Sequence, residues 1–324
     1  MKICYLILAH KNPEQLRRLV SALDDTGVNF FIHVNKRSQS FYNDAREVLA
    51  NFANVNFLPR KKIWWGTFGI IDAVITGIEA IANSDISCDR VVLISGQDYP
   101  IKSKEYIKAF FEKNSDKNYI EFFPFSVKNK WTNMGGWYSI DSRLNRTLIS
   151  FRGKALMLPL KRKAPFGYVA YGGSFWWNLN RDCIRYMAAF LKERPEFTRF
   201  ARYLFLPDEM FFNTILANSP LRHTLVSSDL RYIDWEKHNP VPPAILMMED
   251  FEALQDSPAL FARKFDMHRD SEIFDKIDNE LLLNPEARVN ASVSMLRSPL
   301  DCPQSGQSTV SLSNRNVRNT SPDS

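Results

Sequence analysis

Apolar residues follow two alternating patterns along the N-terminal part of the chain. Short apolar runs, such as residues 3–9 and 90–94, are typical of strands buried on both faces of a sheet. Between them lie segments with helical periodicity, such as residues 67–82, and Asn12 followed by Pro13 predicts the N-cap of the first helix. This alternation predicts an α/β fold, a Rossmann-type, mostly parallel sheet with helices on both faces. The strands predicted here are residues 3–9, 29–34, 55–58, 90–94 and 118–123.

A second group of patterns occupies residues 168–216. Residues 174–179 are aromatic and apolar and predict a further covered strand, and Asn180 predicts the N-cap of the following helix. A second helix is predicted to begin at Pro207-Asp208-Glu209, where two acids favour the positive end of the helix dipole. Capping of the helix alone would explain why both acids stand at its start, so the local pattern does not indicate a catalytic role for either.

The C-terminal part divides into patterned and unpatterned sequence. The apolar segments predict two short strands and two helices, at residues 223–226, 230–233, 249–257 and 271–282. After Asn284 the periodicity stops, and Pro, Ser, Asn, Gln and Arg dominate. We therefore predict one domain over residues 1–284 and a disordered polar tail over residues 285–324.

Positive charge is concentrated in one stretch of a chain whose 45% apolar and 24% charged residues are ordinary for a globular protein. The net charge is +6, and residues 126–165 contain nine basic residues against Asp141 alone. Such a stretch suits an anionic membrane surface, a phosphate-bearing substrate or nucleic acid, and a solvated loop without a partner is the alternative. The chain has no zinc-finger or RNP signature for nucleic acid.

Cysteine usage and the first apolar run bear on location. The four cysteines have no CxxC or metal-ligand spacing, which predicts free thiols in a reducing compartment. Residues 3–9 are too few to span a membrane. We expect a cytoplasmic protein, and peripheral contact of residues 128–163 with the inner face of an anionic membrane is one use of the basic stretch.

The loops after the predicted strands are the places to look for a site, because a parallel sheet binds its ligand beyond the carboxyl ends of its strands. These loops contain His10-Lys11, Asn35-Lys36, residues 95–102 and the segment before Asp208. No G-x-G-x-x-G follows the first strand and no G-x-x-x-x-G-K-[ST] occurs, which argues against a dinucleotide dehydrogenase and a P-loop protein. D-x-D is also absent, so the paired carboxylates that usually coordinate the metal of a metal-bound nucleotide are not evident.

Several segments match, in order, the motifs of one enzyme family. They are A-H-K-N-P near residue 10, F-I-H-V-N-K-R-S at 31–38, W-G at 65–66, S-G-Q-D-Y-P-I-K-S at 95–103, Y-G-G-S-F-W-W at 171–177, P-D-E at 207–209, R-Y-I-D-W at 231–235 and L-F-A-R-K-F-D at 260–266. The sequence resembles the core-2/I-branching β-1,6-N-acetylglucosaminyltransferases and the related protein O-xylosyltransferases. The resemblance implies a GT-A-like fold and inverting transfer of N-acetylglucosamine or xylose from a UDP-sugar to a hydroxyl of a glycan or glycolipid acceptor. It also implies that no metal or other cofactor is needed, which agrees with the missing D-x-D.

The resemblance assigns roles to individual residues. The residues implied are Glu209 as the catalytic base; Lys264, Arg263, His10, Asn35 and Asp98 on UDP; and Trp235 and Lys102 on the acceptor. Asn35 stands where the family usually has Asp, and the family's second diphosphate cation is not evident. Turn capping by Asp98, core packing of Trp235 and an ordinary strand-end position for His10 are the alternatives.

The departures from the family pattern leave other functions open. The family's animal members carry a membrane anchor and disulfides, and neither is evident here, so the resemblance favours a bacterial-type member in surface-polysaccharide synthesis. A non-catalytic nucleotide-sugar or glycan-binding member of the same fold is the alternative. A nucleic-acid-binding protein that uses the basic stretch is a third hypothesis.

Overall fold

Strands and helices alternate along the chain in the computed structural model, as the apolar pattern predicts. The described residues are 1–127, 146–151, 154–161, 167–237 and 243–283. The strands are β1 (Ile3–Ala9), β2 (Val28–Val34), β3 (Val55–Phe57), β4 (Arg90–Ser95), β5 (Asp98–Pro100), β6 (Asn118–Ile120), β7 (Phe123–Pro124), β8 (Arg146–Phe151), β9 (Lys154–Lys161), β10 (Tyr171–Gly172), β11 (Trp177–Asn180), β12 (Leu225–Val226), β13 (Arg231–Ile233) and β14 (Phe261–Arg263). The helices are α1 (Pro13–Leu23), α2 (Gln39–Val48), α3 (Gly69–Asn83), α4 (Lys104–Lys113), α5 (Arg181–Glu193), α6 (Pro195–Ala201), α7 (Phe211–Ala217), α8 (Phe251–Asp256) and α9 (Glu272–Ile277).

A seven-stranded sheet of order β12-β6-β11-β4-β1-β2-β3 forms the centre. The pairs β1–β2, β1–β4, β2–β3 and β6–β12 are parallel, whereas β11 runs antiparallel to both of its neighbours. The predicted mostly parallel α/β sheet is therefore confirmed. The antiparallel direction of β11 does not follow from its apolar pattern, because side-chain alternation is the same in either direction.

Both faces of the sheet are buried, and β1 shows why its sequence has no polar alternation. Tyr5 and Ile7 pack on one side, in a core that includes Leu16 of α1. Leu6 packs on the other side, in a core that includes Val74 of α3. Strands covered by helices on both faces need apolar residues at every position.

A second, three-stranded sheet of order β13-β14-β5 lies next to the end of β4. Only Gly96 and Gln97 separate β4 from β5, and the register pairs Asp98 with Arg263 and Arg263 with Ile233. The sequence predicts a loop at residues 95–102, so strand β5 was missed. It is visible only through its pairing with a segment more than a hundred residues away.

The two predicted N-caps have different outcomes. Asn180 is confirmed, because its Oδ1 accepts a hydrogen bond from the backbone N–H of Cys183 at 3.0 Å. Asn12 is wrong as a side-chain cap: it has φ 56° and accepts no hydrogen bond from helix α1. Its amide donates instead to Asp266 at 2.8 Å, a contact that no local pattern could show.

Three element boundaries also differ from the prediction. Pro207–Glu209 is a 3-10 turn, and α7 begins only at Phe211, because Met210 has φ −146° and interrupts the helix. In the region predicted as strand 223–226, Pro220–Thr224 forms another 3-10 turn and only Leu225–Val226 is a strand. The last helix changes to π-helical geometry at Asp278–Leu282.

The predicted tail, the basic stretch and the cysteines are covered only in part by the described residues. The tail, residues 285–324, lies outside the described residues, as do residues 128–145, 152–153 and 162–166 of the basic region. Cys4, Cys88 and Cys183 are buried free thiols, as predicted. Among the helices that are described, none combines the length and apolarity that crossing a membrane requires.

Candidate functional site

A cavity of about 770 Å³ lies at the carboxyl ends of β1, β2 and β4. Its lining includes His10 after β1, Asn35 after β2 and Gln97 after β4. This edge of the sheet is where open α/β sheets bind their ligands. Of the eight residues implied by the resemblance, six line this cavity: Glu209, Lys264, Arg263, His10, Asn35 and Trp235.

One wall of the cavity is positively charged and contains Arg231, Arg263, Lys264 and His10. Burial lowers the pKa of Lys264, and the neighbouring Arg263 and Lys11 lower it further. The pKa of His10 is also lowered, first by burial and then by Lys11 and Lys264. Because Arg263 and Lys264 repel one another, an anion bound against this wall would be stabilised.

Asp98 lies behind this wall and is fully buried. Its Oδ2 accepts hydrogen bonds from the backbone N–H of Ser95, at 2.8 Å, and from the Ser95 hydroxyl. Nε of Arg231 lies 3.4 Å from Oδ1, and Nε of Arg263 lies 3.6 Å from Oδ2. Asp98 therefore contacts the cations of the wall and has no surface in the cavity, which is at odds with the direct UDP contact implied by the resemblance.

Arg263 is held from a second side by an aromatic ring. Its guanidinium carbon lies 4.4 Å from the centre of the Trp176 ring, close enough for a cation–π interaction. Arg231, in contrast, donates hydrogen bonds to the backbone carbonyls of Leu93 and Asp229 and has a fully buried side chain. Arg263 is thus the arginine of the pair that retains exposed side-chain surface, 12% of the side chain.

The cavity lining also contains acids, and these include Asp208 and Glu209 in the Pro207–Glu209 turn. Both acids line the cavity from this 3-10 turn, so position in the turn does not by itself separate their roles. Glu121 lines the same cavity, and its Oε2 accepts a hydrogen bond from Ser174 N–H at 2.8 Å. Sequence reasoning missed Glu121, which stands just after the buried strand β6.

Two backbone contacts fix the turn that carries Glu209. The carbonyl of Glu209 accepts a hydrogen bond from Gly173 N–H at 3.0 Å, and Leu206 N–H donates to the carbonyl of Gly66 at 3.2 Å. A Cβ on Gly173 would lie 2.0 Å from the carbonyl oxygen of Glu121, so only glycine permits this close approach. The G-G motif read from the sequence therefore serves to position the acid.

Two exposed tryptophans stand at the cavity. Trp65 is 76% exposed and Trp235 is 39% exposed, and both line the cavity. Trp65 packs edge-on against Phe205, with ring centres 6.1 Å apart. The core-packing alternative for Trp235 is wrong, and Trp65, which stands in the W-G motif, joins the candidate ligand-binding residues.

Both the oxygen and the nitrogen of the Asn35 side-chain amide hydrogen-bond to the loop that leads to Trp65. Its Nδ2 donates to the carbonyl of Ile63 at 3.1 Å, and its Oδ1 accepts from Ile63 N–H at 3.2 Å and from Arg37 N–H at 3.1 Å. A carboxylate could not donate to the Ile63 carbonyl. This accounts for Asn at a position where the resemblance expects Asp.

Lys102 lies after β5 and is not among the residues that line the cavity. Its implied acceptor contact, like the other residue roles, stays a prediction. Within the described ranges, no group of three or more His, Cys, Asp or Glu side chains could hold a metal ion.

Comparison with known proteins shows that the chain is similar to xylosyltransferases. The chain is 28% identical to xylosyltransferase 2 of Rattus norvegicus over 307 residues, covering 87% of this chain and 34% of the relative. It is 26% identical to xylosyltransferase 1 of Homo sapiens over 303 residues, covering 88% of this chain and 31% of the relative. The chain thus spans about a third of the length of these relatives. The profile of the Core-2/I-Branching enzyme family matches residues 3–255, and the chain therefore belongs to that family.

Proposed function

We propose that this chain is an inverting, metal-independent glycosyltransferase that uses a UDP-sugar. The observation that carries the proposal is that one cavity is lined both by the acid Glu209 and by the cations Arg263 and Lys264. A sugar transferase needs a base for the incoming hydroxyl and positive charge for the departing diphosphate. Family membership and the similarity to xylosyltransferases support the same assignment.

The proposed reaction is a single displacement. The carboxylate of Glu209 accepts the proton of the acceptor hydroxyl while its oxygen forms a bond to the anomeric carbon of the donor. The bond between that carbon and the diphosphate oxygen breaks, and UDP leaves with its electron pair. Arg263 and Lys264 stabilise the charge that develops on the diphosphate, since charged donors in a partly buried site interact strongly with an oxyanion.

The donor and acceptor are proposed by class. N-acetylglucosamine and xylose are the candidate sugars, because the chain belongs to the branching-enzyme family and is similar to xylosyltransferases. The acceptor would be a hydroxyl of a glycan or glycolipid, bound near Trp65 and Trp235. We place the reaction in the cytoplasm, in surface-polysaccharide synthesis.

A panel of UDP-sugars tests this function. Thermal stabilisation by one UDP-sugar, followed by UDP release with a sugar acceptor, is the expected result, because a ligand that binds only the folded state raises its stability. Turnover should persist in EDTA. Binding without UDP release would favour the non-catalytic alternative, and turnover that EDTA abolishes and manganese restores would contradict metal independence.

A further inference from the structure

Two loops at the edge of the cavity together present a strip of positive charge. One loop follows β2, and the other joins β3 to α3. They are bound to each other, because Lys36 N–H donates to the carbonyl of Lys61 at 2.9 Å and the Asn35 amide bonds to Ile63 through both of its polar atoms. The cations of this strip, which we term the cationic rim, are Lys36, Arg37, Arg60, Lys61 and Lys62.

The protein does not neutralise the charge of the rim. Residues 35–43 and 48–71 contain no Asp or Glu. No acid in the described ranges forms an ion pair with any of the five cations, and four of the five are exposed, Arg60 being half-buried. Like charges held side by side repel one another, so an anion that binds here relieves the repulsion.

The two arginines of the rim have partners, whereas the three lysines do not. The guanidinium carbon of Arg37 lies 3.5 Å from the centre of the Trp64 ring, and that of Arg60 lies 4.2 Å from the centre of the Tyr42 ring. The lysine side chains make no hydrogen bond, ion pair or ring contact with the described residues. The lysines are therefore the groups of the rim that can meet a ligand.

The rim leads into the cavity. Residues 63–66, which follow two of the rim lysines, line the cavity, and none of the five cations does. Trp65 is 76% exposed, and the carbonyl of Gly66 accepts a hydrogen bond from Leu206 N–H at 3.2 Å, next to the turn that carries Glu209. These two lysines stand at most roughly 14 Å from Trp65 along an extended chain. A ligand that passes from Glu209 over Trp65 thus reaches the rim.

We propose that the cationic rim binds the carboxylates or phosphates of an acidic glycan that passes over Trp65. The diphosphate of the proposed donor is already provided for by Arg263 and Lys264 in the cavity, so the rim lysines suit the charge of a second ligand. An exposed indole offers an apolar surface to the face of a sugar ring. That this glycan is the acceptor rests on the proposed function, whereas its binding to the rim does not.

Lipid and nucleic acid fit the rim less well. A bilayer interface takes up several apolar side chains beside the cations, and Trp65 is the single large apolar side chain that is exposed in residues 33–71. Single-stranded nucleic acid stacks its successive bases on several aromatic rings, and the Trp64 ring is already packed against Arg37. A polar chain with charged groups and one packed ring needs only what the rim has.

Matched acidic and neutral probes, added to the full chain, test the contact. They are an oligogalacturonate, which carries carboxylates, its neutral methyl ester, and a glycerol phosphate oligomer, which carries phosphates. Calorimetric titration at low salt should show binding of at least one acidic probe and no binding of the methyl ester. Because salt screens exposed charges, the affinity should fall as the ionic strength rises from about 0.01 M to about 0.15 M.

The triple variant Lys36→Gln/Lys61→Gln/Lys62→Gln removes the charge of the rim lysines. It should bind the acidic probe roughly tenfold more weakly, since each exposed ion pair contributes little and three act together. Its affinity for UDP at about 0.15 M salt should change less than about twofold, because none of the three lysines lines the cavity and salt screens the more distant charges.

The matched control is the triple variant Lys2→Gln/Lys113→Gln/Lys117→Gln, which removes three other exposed lysines. Lys2 precedes β1 and Lys117 precedes β6, and β1 and β6 both run in the direction of β4, so these two lysines lie at the edge of the sheet opposite to the cavity. The control should bind the acidic probe like the wild type. Both variants should keep the wild-type melting temperature, which shows that they are folded.

The proposal is wrong if neither acidic probe binds, if the methyl ester binds equally well, or if the rim variant and the control bind the acidic probe alike. A loss of UDP affinity in the rim variant without a loss of probe affinity would assign the lysines to the donor instead. Binding of anionic vesicles or an RNA oligonucleotide, but of neither acidic probe, would assign the rim to another partner. Failure to bind or turn over any UDP-sugar, with probe binding as expected, would contradict the proposed function and leave the rim contact standing.

Discussion

Asp98 and Arg263 are paired twice in this structure. They are register partners across β5 and β14, and Nε of Arg263 lies 3.6 Å from Oδ2 of Asp98. The backbone pairing sets where the arginine stands, and the carboxylate sets the direction of its guanidinium. The cation on the cavity wall is therefore oriented by an acid that does not itself reach the cavity.

Asp98→Asn should weaken UDP binding by roughly tenfold or more, a loss of about 1.4 kcal/mol, while uridine binding stays unchanged. The substitution leaves Arg231 and Arg263 without their shared counter-charge, and breaking a buried pair in this way costs about 3–5 kcal/mol. Arg263 then leaves the position in which it would meet a diphosphate. Calorimetric titration with UDP and with uridine measures the two affinities.

Asp250→Asn is the matched control for the Asp98 variant. Asp250 is also buried and accepts hydrogen bonds from Met247 N–H and Lys237, but it does not line the cavity. Its substitution should lower stability and spare both affinities. Removing one negative charge would by itself attract an anion, so tighter UDP binding by Asp98→Asn would show that the orienting role is wrong.

Glu209→Gln should lower turnover by roughly 10²-fold or more with UDP affinity retained, because the amide keeps the size of the side chain and cannot accept the proton. Asp208→Asn is the control in the same turn and should change turnover less than about tenfold. Turnover and UDP affinity of both variants are to be measured on folded protein. A normally active Glu209→Gln enzyme would move the search for the base to Asp208 and Glu121.

Gly173→Ala should destabilise the protein by about 1–3 kcal/mol, because its Cβ has no room beside the backbone of Glu121. Turnover should fall as well, since Gly173 N–H holds the carbonyl of Glu209. Urea unfolding gives the free energy of unfolding. Gly96→Ala, whose Cβ would meet its nearest atom at 3.6 Å, is the control, and equal stability of the two variants would contradict the close approach.

His33 should make stability depend on pH between about 4 and 6.5. Burial lowers the pKa of His33 from 6.5 to about 4, and its Nε2 accepts a hydrogen bond from Lys61 N–H at 2.8 Å, which requires the neutral ring. The unfolded state therefore binds the proton more readily. This contribution is fully present above pH 6.5 and is lost as the pH falls towards 4, by roughly 3 kcal/mol in total.

Urea unfolding at pH 7 and pH 5 checks the role of His33. The wild type should lose more stability between these values than His33→Gln, whose amide oxygen can accept the same hydrogen bond without titrating. An equal loss in both proteins would assign the pH dependence to other groups.

Much of the framework followed from short-range sequence patterns. The strands of residues 3–9 and 90–94 and the helix of residues 67–82 are present close to their predicted positions. Helices that cover both faces of a sheet require apolar residues at every position of the buried strands and along one face of each helix. Both requirements are visible in residues that are neighbours in the sequence. The order of the family motifs likewise identified six residues that line one cavity.

Contacts between distant segments were decided only by the tertiary structure. The amide of Asn12 donates to Asp266 instead of capping its own helix with its oxygen, and Asp98 is buried where it pairs with β14 and contacts Arg231. Three further features also depend on tertiary structure: the direction of β11, the turn at Glu209 and the exposure of Trp65. A local sequence pattern indicates whether a residue is buried or caps a helix, but it does not indicate which distant segment supplies its partner. In this protein the partner determines the role of a charged side chain. One charged residue faces the cavity, and another positions it from behind.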